Sequence, residues 1–290
     1  MKVWINNRIV DEKDAKVSVF DRGFLYGDGV FETMRGYNSA VFKIGDHLTR
    51  LRDSLYTISL KIPHSRSLLT REIYRLIKIN KLKDAYIRLT VTRGEGTIGL
   101  SRCDCENPTV VIIAKQFTPY PALMYRNGIE VKIVDVRQNE LSPASGIKSI
   151  SFLNYILARI EAKQAGFDDA VLVNSRGHIC EATVSNICMV RRRALMTPRL
   201  EDGLLPGITR GVILALAPRV GLKARETTVT RSMLYNADEV FLTNSLMEVM
   251  PVVKVDNKII GSGLPGLITH KLSAEYKKRV YQKMASSMSR

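Results

Sequence analysis

The sequence predicts an α+β, or mixed α/β, fold in two domains. Helical and strand-like segments are interspersed along the 290 residues, and hairpins are common among the strands, which argues against one doubly wound parallel sheet. Proline and glycine concentrate where the chain reads Thr118-Pro119-Tyr120-Pro121 and then Gly128. We therefore expect an N-terminal α/β domain at 1–117, an interdomain linker at 118–128 and a C-terminal domain at 129–290.

Hairpins, helices and strands alternate in the expected N-terminal domain. Asn6-Asn7 marks the first turn, because asparagine tolerates the positive φ of a two-residue hairpin loop. Apolar residues recurring three or four positions apart predict the helices, and alternating apolar residues predict the strands. The expected elements, in order, are hairpins over 3–10 and 30–44, helices over 46–59 and 67–80, and strands over 85–92 and 109–114.

The expected C-terminal domain contains an amphipathic helix that follows a loop. Four apolar residues fall on one face of this helix, which we expect to be buried: Phe152, Ile156, Leu157 and Ile160. Asn174-Ser175-Arg176-Gly177 has the composition of a hairpin turn. The other expected elements are strands over 129–136, 239–243 and 249–255, and helices over 207–217 and 264–280.

The chain is basic, with 44 lysines and arginines against 28 acidic residues and a net charge of +16. Such a charge raises the question of nucleic-acid binding. The basic residues are dispersed, however, and the tight run Arg191-Arg192-Arg193 lies between two strand-like segments, where a solvated hairpin tip explains it. Nucleic acid is therefore disfavoured as a partner, and anionic small molecules suit the same charge.

The cysteines and the hydropathy of the sequence indicate whether the protein binds a metal or associates with a membrane. Cys103-x-Cys105 has no second pair or histidine partner at the spacing of a zinc site, so we expect no metal and reduced thiols. No apolar run approaches a membrane span, and no apolar signal region stands at the start of the sequence. A cytoplasmic location without membrane association is the expectation.

Lys148 stands where a loop joins the amphipathic helix, among small and apolar neighbours. Desolvation at such a place lowers the pKa of a lysine amine and makes it nucleophilic. From this residue alone, a solvated lysine at a helix start is the alternative. Other segments of the chain decide between the two interpretations.

Five further segments accompany this lysine in a fixed order: Asp21–Glu32, His47–Leu51, Glu181–Ile187, Leu205–Arg210 and Thr243–Pro251. Together with Lys148 they resemble the class IV (fold type IV) pyridoxal-phosphate enzymes along nearly the whole chain. That family comprises branched-chain aminotransferases, D-amino acid aminotransferases, R-selective amine transaminases and aminodeoxychorismate lyases. The resemblance implies a two-domain, D-amino acid aminotransferase-like fold with the cofactor in the C-terminal domain.

The resemblance implies pyridoxal 5'-phosphate as the cofactor. Lys148 matches the lysine that holds the cofactor aldehyde as a Schiff base and moves a proton between the substrate Cα and the cofactor C4′. Glu181 matches the carboxylate that keeps the cofactor ring nitrogen protonated. The phosphate needs a helix N-terminus and a cation. The residues expected around it are Arg50, Gly207, Ile208, Thr209 and Ser245.

Two positions depart from the pattern of many relatives. The position four residues after the lysine is commonly a tyrosine that bonds the cofactor 3-oxygen, and Phe152 cannot make that bond. D-amino acid aminotransferases also carry an apolar residue there. Ala182 stands in place of the usual glycine after the carboxylate.

The segments 31–35 and 86–88 resemble branched-chain aminotransferases, whose aromatic residues line the side-chain pocket and whose arginines organise the site. An apolar lining suits an aliphatic substrate side chain. The residues expected at the substrate are Tyr26, Phe31, Arg35, Tyr86, Arg88, Ile98, Asn244 and Leu246, with Leu100 adding to the apolar lining. We therefore favour an aminotransferase of branched-chain type that moves an amino group between an amino acid and 2-oxoglutarate.

Three alternatives remain open. A D-amino acid aminotransferase is the first, although its carboxylate-binding arginine and histidine align with Ile98 and Leu100. An aminodeoxychorismate lyase is the second, favoured by Thr33 and by Asn244-Ser245-Leu246 but opposed by Ile98 at its substrate arginine position. The third, from another class, is a basic nucleic-acid-binding protein that keeps an enzyme fold. Members of the family complete their sites at a homodimer interface, so a dimer or an assembly of dimers is expected.

Overall fold

The computed structural model describes residues 1–100, 105 and 107–288. The chain divides into two compact units. Unit 1 comprises Met1–Thr118, Ile147–Ser151 and the end of the chain from Gln282, and unit 2 comprises Pro119–Gly146 and Phe152–Tyr281.

Unit 1 is built on a six-stranded antiparallel sheet. Its elements, in chain order, are β1 (Lys2–Ile5), β2 (Arg8–Asp11), α1 (Arg22–Tyr26), β3 (Gly29–Tyr37), β4 (Ala40–Val41), α2 (Ile44–Thr57), α3 (Arg66–Ile79), β5 (Ala85–Thr92) and β6 (Thr109–Gln116). The strand order is β2-β1-β6-β5-β3-β4. The two hairpin turns fall at Asn6-Asn7 and Asn38-Ser39, and all four residues have positive φ.

The helices α2 and α3 pack on one face of this sheet. Leu51 of α2 and Ile73 of α3 lie in one buried cluster with Met34 and Ile87 of the sheet. Side chains alternate between the two faces of a strand, so residues 30, 32 and 34 of β3 face this cluster and its odd-numbered neighbours face away. One face of the sheet therefore packs against the helices, and the opposite face can carry the residues of a functional site.

The segment Ile147–Ser151 belongs to unit 1 because its backbone continues the sheet. The Phe31 N–H donates to the Lys148 carbonyl at 2.9 Å, and the Ile150 N–H donates to the Gly29 carbonyl at 3.1 Å. The sequence placed this segment in the C-terminal domain, next to the helix that follows it. The segment pairs with a strand more than a hundred residues earlier in the chain, and such pairing leaves no pattern in the sequence of the segment itself. For this reason the sequence predicted the wrong unit for it.

Unit 2 contains a nine-stranded mixed sheet. Its elements, in chain order, are α4 (Ala122–Asn127), β7 (Ile129–Gln138), α5 (Leu153–Gln164), β8 (Asp169–Asn174), β9 (Ile179–Ala182), β10 (Asn186–Arg191), β11 (Ala194–Thr197), α6 (Ile208–Leu216), β12 (Lys223–Glu226), α7 (Arg231–Tyr235), β13 (Glu239–Asn244), β14 (Glu248–Val255), β15 (Lys258–Ile259) and α8 (Leu267–Met288). The strand order is β12-β11-β10-β13-β14-β7-β8-β9, with β15 beside β14. The last strand, β9, also pairs with β10, which sets Glu181 opposite Asn186.

The stretch predicted as a linker, 118–128, is ordered within unit 2 from Pro119 onward. It contains α4, and the Tyr125 hydroxyl on this helix donates to the Met247 carbonyl at 3.0 Å. The proline-rich composition therefore marks the start of unit 2 and its short first helix.

The expectation that the apolar face of α5 is buried was wrong. Ala158 and Ala162 face the sheet and pack with Val134, Ala170 and Leu172, since small side chains let the helix approach β7 and β8 closely. The larger apolar residues of the helix are about half exposed or more on this chain: Leu153, Ile156, Leu157 and Ile160. Periodicity identified the helix, but it assigned the core to the wrong face.

Most other predicted elements are confirmed with boundaries shifted by a few residues, including the hairpin turn at Arg192-Arg193, where both residues have positive φ. Of the cysteines, Cys103 lies outside the described residues, and Cys105, Cys180 and Cys188 are free thiols. In the part of the chain that the structure describes, no helix has the length and apolar character needed to cross a membrane.

Candidate active site

Lys148 lies against an aromatic ring of unit 1. Its backbone is fixed by the hydrogen bond from Phe31, and its Nζ lies 4.7 Å from the centroid of the Phe31 ring. Burial lowers the pKa of His47 on α2, against the opposing effect of Glu32, and the positive charges of Arg50 and Lys148 lower it further. The lysine is therefore held in a defined place beside β3 and α2.

Glu32 is the centre of a buried charged cluster on the core face of β3. Arg50 donates from Nε to Oε1 at 2.7 Å and from a terminal nitrogen to Oε2 at 2.8 Å, and His47 Nδ1 lies 2.7 Å from Oε2. Burial opposes ionisation of this fully buried carboxyl, but the Arg50 guanidinium and His47 outweigh it and hold the pKa of Glu32 at about 2. Burial lowers the pKa of His47, against the opposing effect of Glu32.

This cluster orients Arg50, the predicted phosphate ligand. Two of the guanidinium's five N–H donors go to Glu32 in a bidentate pair, which fixes the plane of the group. The Glu32 carboxylate thus determines the orientation in which the Arg50 guanidinium can contact an anion.

Glu32→Gln is expected to reduce the free energy of unfolding at neutral pH by about 3–5 kcal/mol, because it leaves the buried Arg50 charge uncompensated. The pKa of Glu32 lies below its ordinary value of 4.5, so its stabilising contribution is complete above about pH 5 and is lost as the pH falls toward 2. Urea unfolding of wild type and variant at several pH values measures the difference, which should shrink on acidification.

Asp11→Asn is the matched control for this experiment. Asp11 pairs with Lys2 at 2.9 Å on the surface of the same unit, where an ion pair contributes roughly 0–1 kcal/mol. A Glu32→Gln protein as stable as Asp11→Asn at neutral pH would contradict a structural role for the buried cluster.

Four of the predicted substrate residues lie on the opposite face of the unit 1 sheet. Strand pairing sets Arg35 opposite Tyr86 and Thr33 opposite Arg88, and alternation along β3 puts Phe31 on the same face. The Arg88 guanidinium carbon lies 3.8 Å from the centroid of the Phe31 ring. The ring that contacts the Lys148 amine therefore also contacts a guanidinium.

Arg35 is held by aromatic contacts. Its guanidinium carbon lies 4.3 Å from the centroid of the Tyr37 ring and 4.0 Å from that of Phe117. Stacking of this kind positions the guanidinium group of an arginine.

The loop that follows β5 is fixed at Gly99. Arg22 donates to the Gly99 carbonyl at 2.7 Å, and the Gly99 N–H donates to the Tyr26 hydroxyl at 2.8 Å. The neighbouring side chains of Ile98 and Leu100 are 77% and 85% exposed. These two side chains, which were expected to line an apolar pocket, are therefore not buried within this chain. Tyr26, expected at the substrate, holds the loop in place.

Glu181 is the buried carboxylate of unit 2, with 5% of its surface exposed. Oε1 accepts a hydrogen bond from the Tyr155 hydroxyl at 2.9 Å, and Oε2 accepts from Asn186 Nδ2 at 3.3 Å and from the Leu205 N–H at 3.2 Å. Donors of this kind favour the ionised form of a carboxyl group. Glu181 is thus an oriented carboxyl group, suited to pair with a protonated nitrogen.

The N-terminus of α6 is suited to bind an anion. Gly207 is its N-cap, and no side chain among the described residues caps it. The N–H groups of Ile208 and Thr209 in the first turn have no intrahelical acceptor, and the helix dipole favours negative charge there. A Cβ on Gly207 would overlap Asn186 Oδ1, so this close approach requires glycine.

Asn244 holds the turn that contains Ser245. Its Oδ1 accepts from the N–H groups of Leu246 and Met247, both at 2.8 Å, and its Nδ2 donates to the Val184 carbonyl at 3.1 Å. The predicted residues Asn244, Ser245 and Leu246 are thereby fixed beside the segment that follows Glu181.

Two buried hydroxyl groups lie near this turn. Ser185 Oγ and Thr243 Oγ1 have no hydrogen-bond partner within the described residues. Thr243 is opposite Asn186 in the sheet, and Asn186 directly follows Ser185 in the sequence. Buried polar groups are almost always satisfied in proteins, so orphaned hydroxyls mark a place where a ligand can supply acceptors.

Unit 2 also contains a cavity of about 300 Å³. Apolar side chains such as Phe152, Ile156 and Met250 line most of it, and Arg159 contributes from one wall, where it pairs with Asp169 at 2.8 Å. None of the predicted cofactor residues of unit 2 lines this cavity, but Tyr155, whose hydroxyl bonds Glu181, does.

The Amino-transferase class IV family model matches residues 29–255, which include every charged group assigned to the cofactor. The chain belongs to the class IV aminotransferases.

Relatives of this class IV aminotransferase carry more than one activity. A provisionally named branched-chain-amino-acid aminotransferase of Methanocaldococcus jannaschii is 42% identical over 280 residues, covering 96% of each chain. A D-alanine aminotransferase of Bacillus licheniformis is 30% identical over 295 residues, covering 99% of this chain and 100% of the relative.

A solved structure supports the fold assignment. The crystal structure of the branched-chain amino acid aminotransferase of Escherichia coli has a TM-score of 0.90 and 30% identity, covering 93% of this chain and 91% of its own. The predicted α+β, fold type IV architecture of this class IV aminotransferase is confirmed.

Sequence reasoning missed three polar residues of this aminotransferase. Glu32 and His47 lie inside the motifs that resemble the family, yet the contacts of Glu32 with His47 and Arg50 depend on the packing of α2 against β3. The Tyr155 hydroxyl bonds Glu181, a contact that no motif of the sequence predicted. A tyrosine seven residues after the lysine, where the expected tyrosine is replaced by Phe152, was the available signal.

Proposed function

We propose that this class IV aminotransferase uses pyridoxal 5'-phosphate and transfers amino groups between branched-chain or other aliphatic L-amino acids and 2-oxoglutarate. The observation that carries the proposal is the position of Lys148, bonded to β3 and set against Phe31 on a sheet face that also carries Arg88 and Tyr86. The 42% identity to the Methanocaldococcus jannaschii protein supports the branched-chain assignment.

The donor set suits the cofactor. The uncapped N-terminus of α6, the orphaned Ser185 and Thr243 hydroxyls and the cation Arg50 suit a phosphate, and the oriented carboxylate of Glu181 suits a protonated ring nitrogen. When bound, pyridoxal phosphate supplies an aldehyde that takes the substrate amine and a ring that withdraws electrons from the reacting carbon.

Each residue then has a chemical task. The Lys148 amine would attach the cofactor covalently and, when free, would move a proton to or from the substrate Cα. Glu181 would keep the ring nitrogen protonated, and the proposed phosphate ligands are Arg50, Gly207, Ile208, Thr209 and Ser245. Phe31, Tyr86 and Leu246 contact the aliphatic side chain, while Arg35 and Arg88 provide positive charge for substrate carboxylates.

We further propose that the enzyme is a homodimer or an assembly of dimers. The apolar residues exposed on α5, Leu153, Ile156, Leu157 and Ile160, suit burial against a second copy of the chain.

A D-amino acid aminotransferase is the second candidate. Phe152 favours it, because D-amino acid aminotransferases also carry an apolar residue at this position. An aminodeoxychorismate lyase is the third.

Single-turnover reactions of the purified, cofactor-loaded enzyme distinguish these functions. We expect L-leucine to convert the visible absorbance band of the bound cofactor and to release the corresponding branched 2-oxo acid, and L-glutamate to do the same with release of 2-oxoglutarate. D-Leucine, the mirror image of the first donor, is the matched control and should leave the band unchanged.

Each other outcome selects another function. Conversion by D-alanine with no response to L-leucine would replace the proposal with D-specific transamination. A cofactor band that responds to no amino donor, together with pyruvate release from aminodeoxychorismate, would assign the lyase.

A further inference from the structure

Tyr155 connects Glu181, the proposed partner of the cofactor ring nitrogen, to the interior of unit 2. Its hydroxyl donates to Glu181 Oε1 at 2.9 Å and accepts from Gln138 Nε2 at 3.1 Å. A hydroxyl that accepts from an amide has its single proton directed to the carboxylate, so the bond to Glu181 has a defined polarity.

The ring of Tyr155 is held in this orientation. It packs against Phe152 with ring centroids 5.1 Å apart, and it borders the cluster formed by Ala158, Leu172 and other residues between α5 and the sheet. Burial, and then the neighbouring Glu181 carboxylate, raise the pKa of Tyr155 far above its ordinary value. The hydroxyl therefore remains protonated and acts as a donor at every pH at which an enzyme works.

We propose that Tyr155 is a positioning residue that limits the basicity of Glu181, so that the proton shared with the cofactor stays on the ring nitrogen. This inference rests on the proposed function, since it assumes that Glu181 pairs with pyridoxal phosphate.

The physical reason is a competition for one proton. A protonated ring nitrogen beside a carboxylate can pass its proton across the hydrogen bond, and the neutral pair that results withdraws electrons less strongly. A hydrogen bond donated to the carboxylate stabilises its ionised form and lowers its affinity for the proton. Since Asn186 and Leu205 donate to Oε2, Tyr155 supplies this stabilisation at Oε1.

The test uses holoenzyme loaded with cofactor that is isotopically labelled at the ring nitrogen, and it measures the nitrogen chemical shift at neutral pH. We expect wild type to give the shift of a protonated ring. Tyr155→Phe, which keeps the ring and removes the hydroxyl, should move the proton distribution toward Glu181 by about tenfold or more, as the loss of a hydrogen bond to a charged group implies. Its kcat should fall while KM for L-leucine changes little.

Two further variants sharpen the result. Tyr235→Phe removes a tyrosine that donates to Asp256 at 2.6 Å elsewhere in unit 2, and it should leave the nitrogen shift at the wild-type value. Gln138→Met removes the donor that directs the Tyr155 hydroxyl, and it should shift the signal in the same direction as Tyr155→Phe but by less. It also provides a second measurement if Tyr155→Phe folds poorly.

The outcomes separate this inference from the proposed function. Wild-type protein that binds no pyridoxal phosphate overturns both. Wild type with a protonated ring, and Tyr155→Phe with the same nitrogen shift, overturns the role of Tyr155 and leaves the proposed function standing. Equal shifts in Tyr155→Phe and Tyr235→Phe would reduce the effect to a general loss of stability and overturn the role as well.

Discussion

Lys148→Ala is expected to lower transamination by about 10⁴-fold or more, because one amine supplies both the covalent attachment and the proton transfer at the substrate Cα. Alanine fills the same backbone position, and the hydrogen bond from Phe31 to the residue 148 carbonyl involves only main-chain atoms, so the sheet is retained. The variant should still bind cofactor through its phosphate and ring contacts, but without the absorbance band of the lysine adduct. Steady-state rates and absorbance spectra measure both effects.

Lys254→Ala is the matched control for this substitution. Its Nζ lies 5.5 Å from the centroid of the Phe167 ring, a contact similar to that of Lys148 with Phe31, and it pairs with Glu130 at the surface of unit 2. We expect wild-type activity and a wild-type spectrum. A Lys148→Ala protein that keeps both would remove Lys148 from the mechanism.

Glu181→Gln is the second large effect that we expect. Glutamine keeps the shape of the side chain but carries no charge, so the cofactor ring nitrogen loses the partner that keeps it protonated. Truncation of one member of a buried charge pair costs about 2–5 kcal/mol, which corresponds to a fall in kcat of about 30-fold to several thousand-fold. The attachment at Lys148 should survive, so the absorbance of the bound cofactor separates this variant from Lys148→Ala.

Glu130→Gln provides the control for the loss of one negative charge. Glu130 belongs to the surface pair with Lys254, at 2.7 Å, and its replacement should leave kcat unchanged. If Glu181→Gln also left kcat unchanged, the carboxylate of Glu181 would have no part in keeping the ring nitrogen protonated.

Sequence patterns predicted the local elements of this fold well. The asparagine turns, the helices α2 and α3 and the strand β5 follow from backbone preference and from apolar periodicity, which act over a few residues. Once β3 and β5 are neighbours in the sheet, the alternation of side chains puts one group of residues on the same face: Phe31, Arg35, Tyr86 and Arg88.

The features that the sequence did not predict depend on contacts between distant segments. Pairing of Lys148 with Phe31 moves the lysine segment into unit 1, and nothing within the segment itself signals this. The buried side of α5 was decided by the space that Ala158 and Ala162 leave for close approach to the sheet. Periodicity alone could not have distinguished that side from the larger apolar face opposite.

The candidate site was predictable as a set of motif residues and less so as a network. Arg50 and Glu181 were both expected, but the partners that orient them, Glu32 and Tyr155, act through packing between elements. Such partners have no motif of their own in a single sequence, so the structure was needed to identify them.

The most direct test of cofactor attachment at Lys148 is to reduce the cofactor-loaded enzyme with borohydride and to locate the modification by mass spectrometry of its peptides. Reduction makes the bond between the cofactor and its lysine permanent. We expect one phosphopyridoxyl group per chain, on the peptide that contains Lys148, and none in the Lys148→Ala protein. Labelling of another lysine, or no labelling after incubation with pyridoxal phosphate, would contradict it.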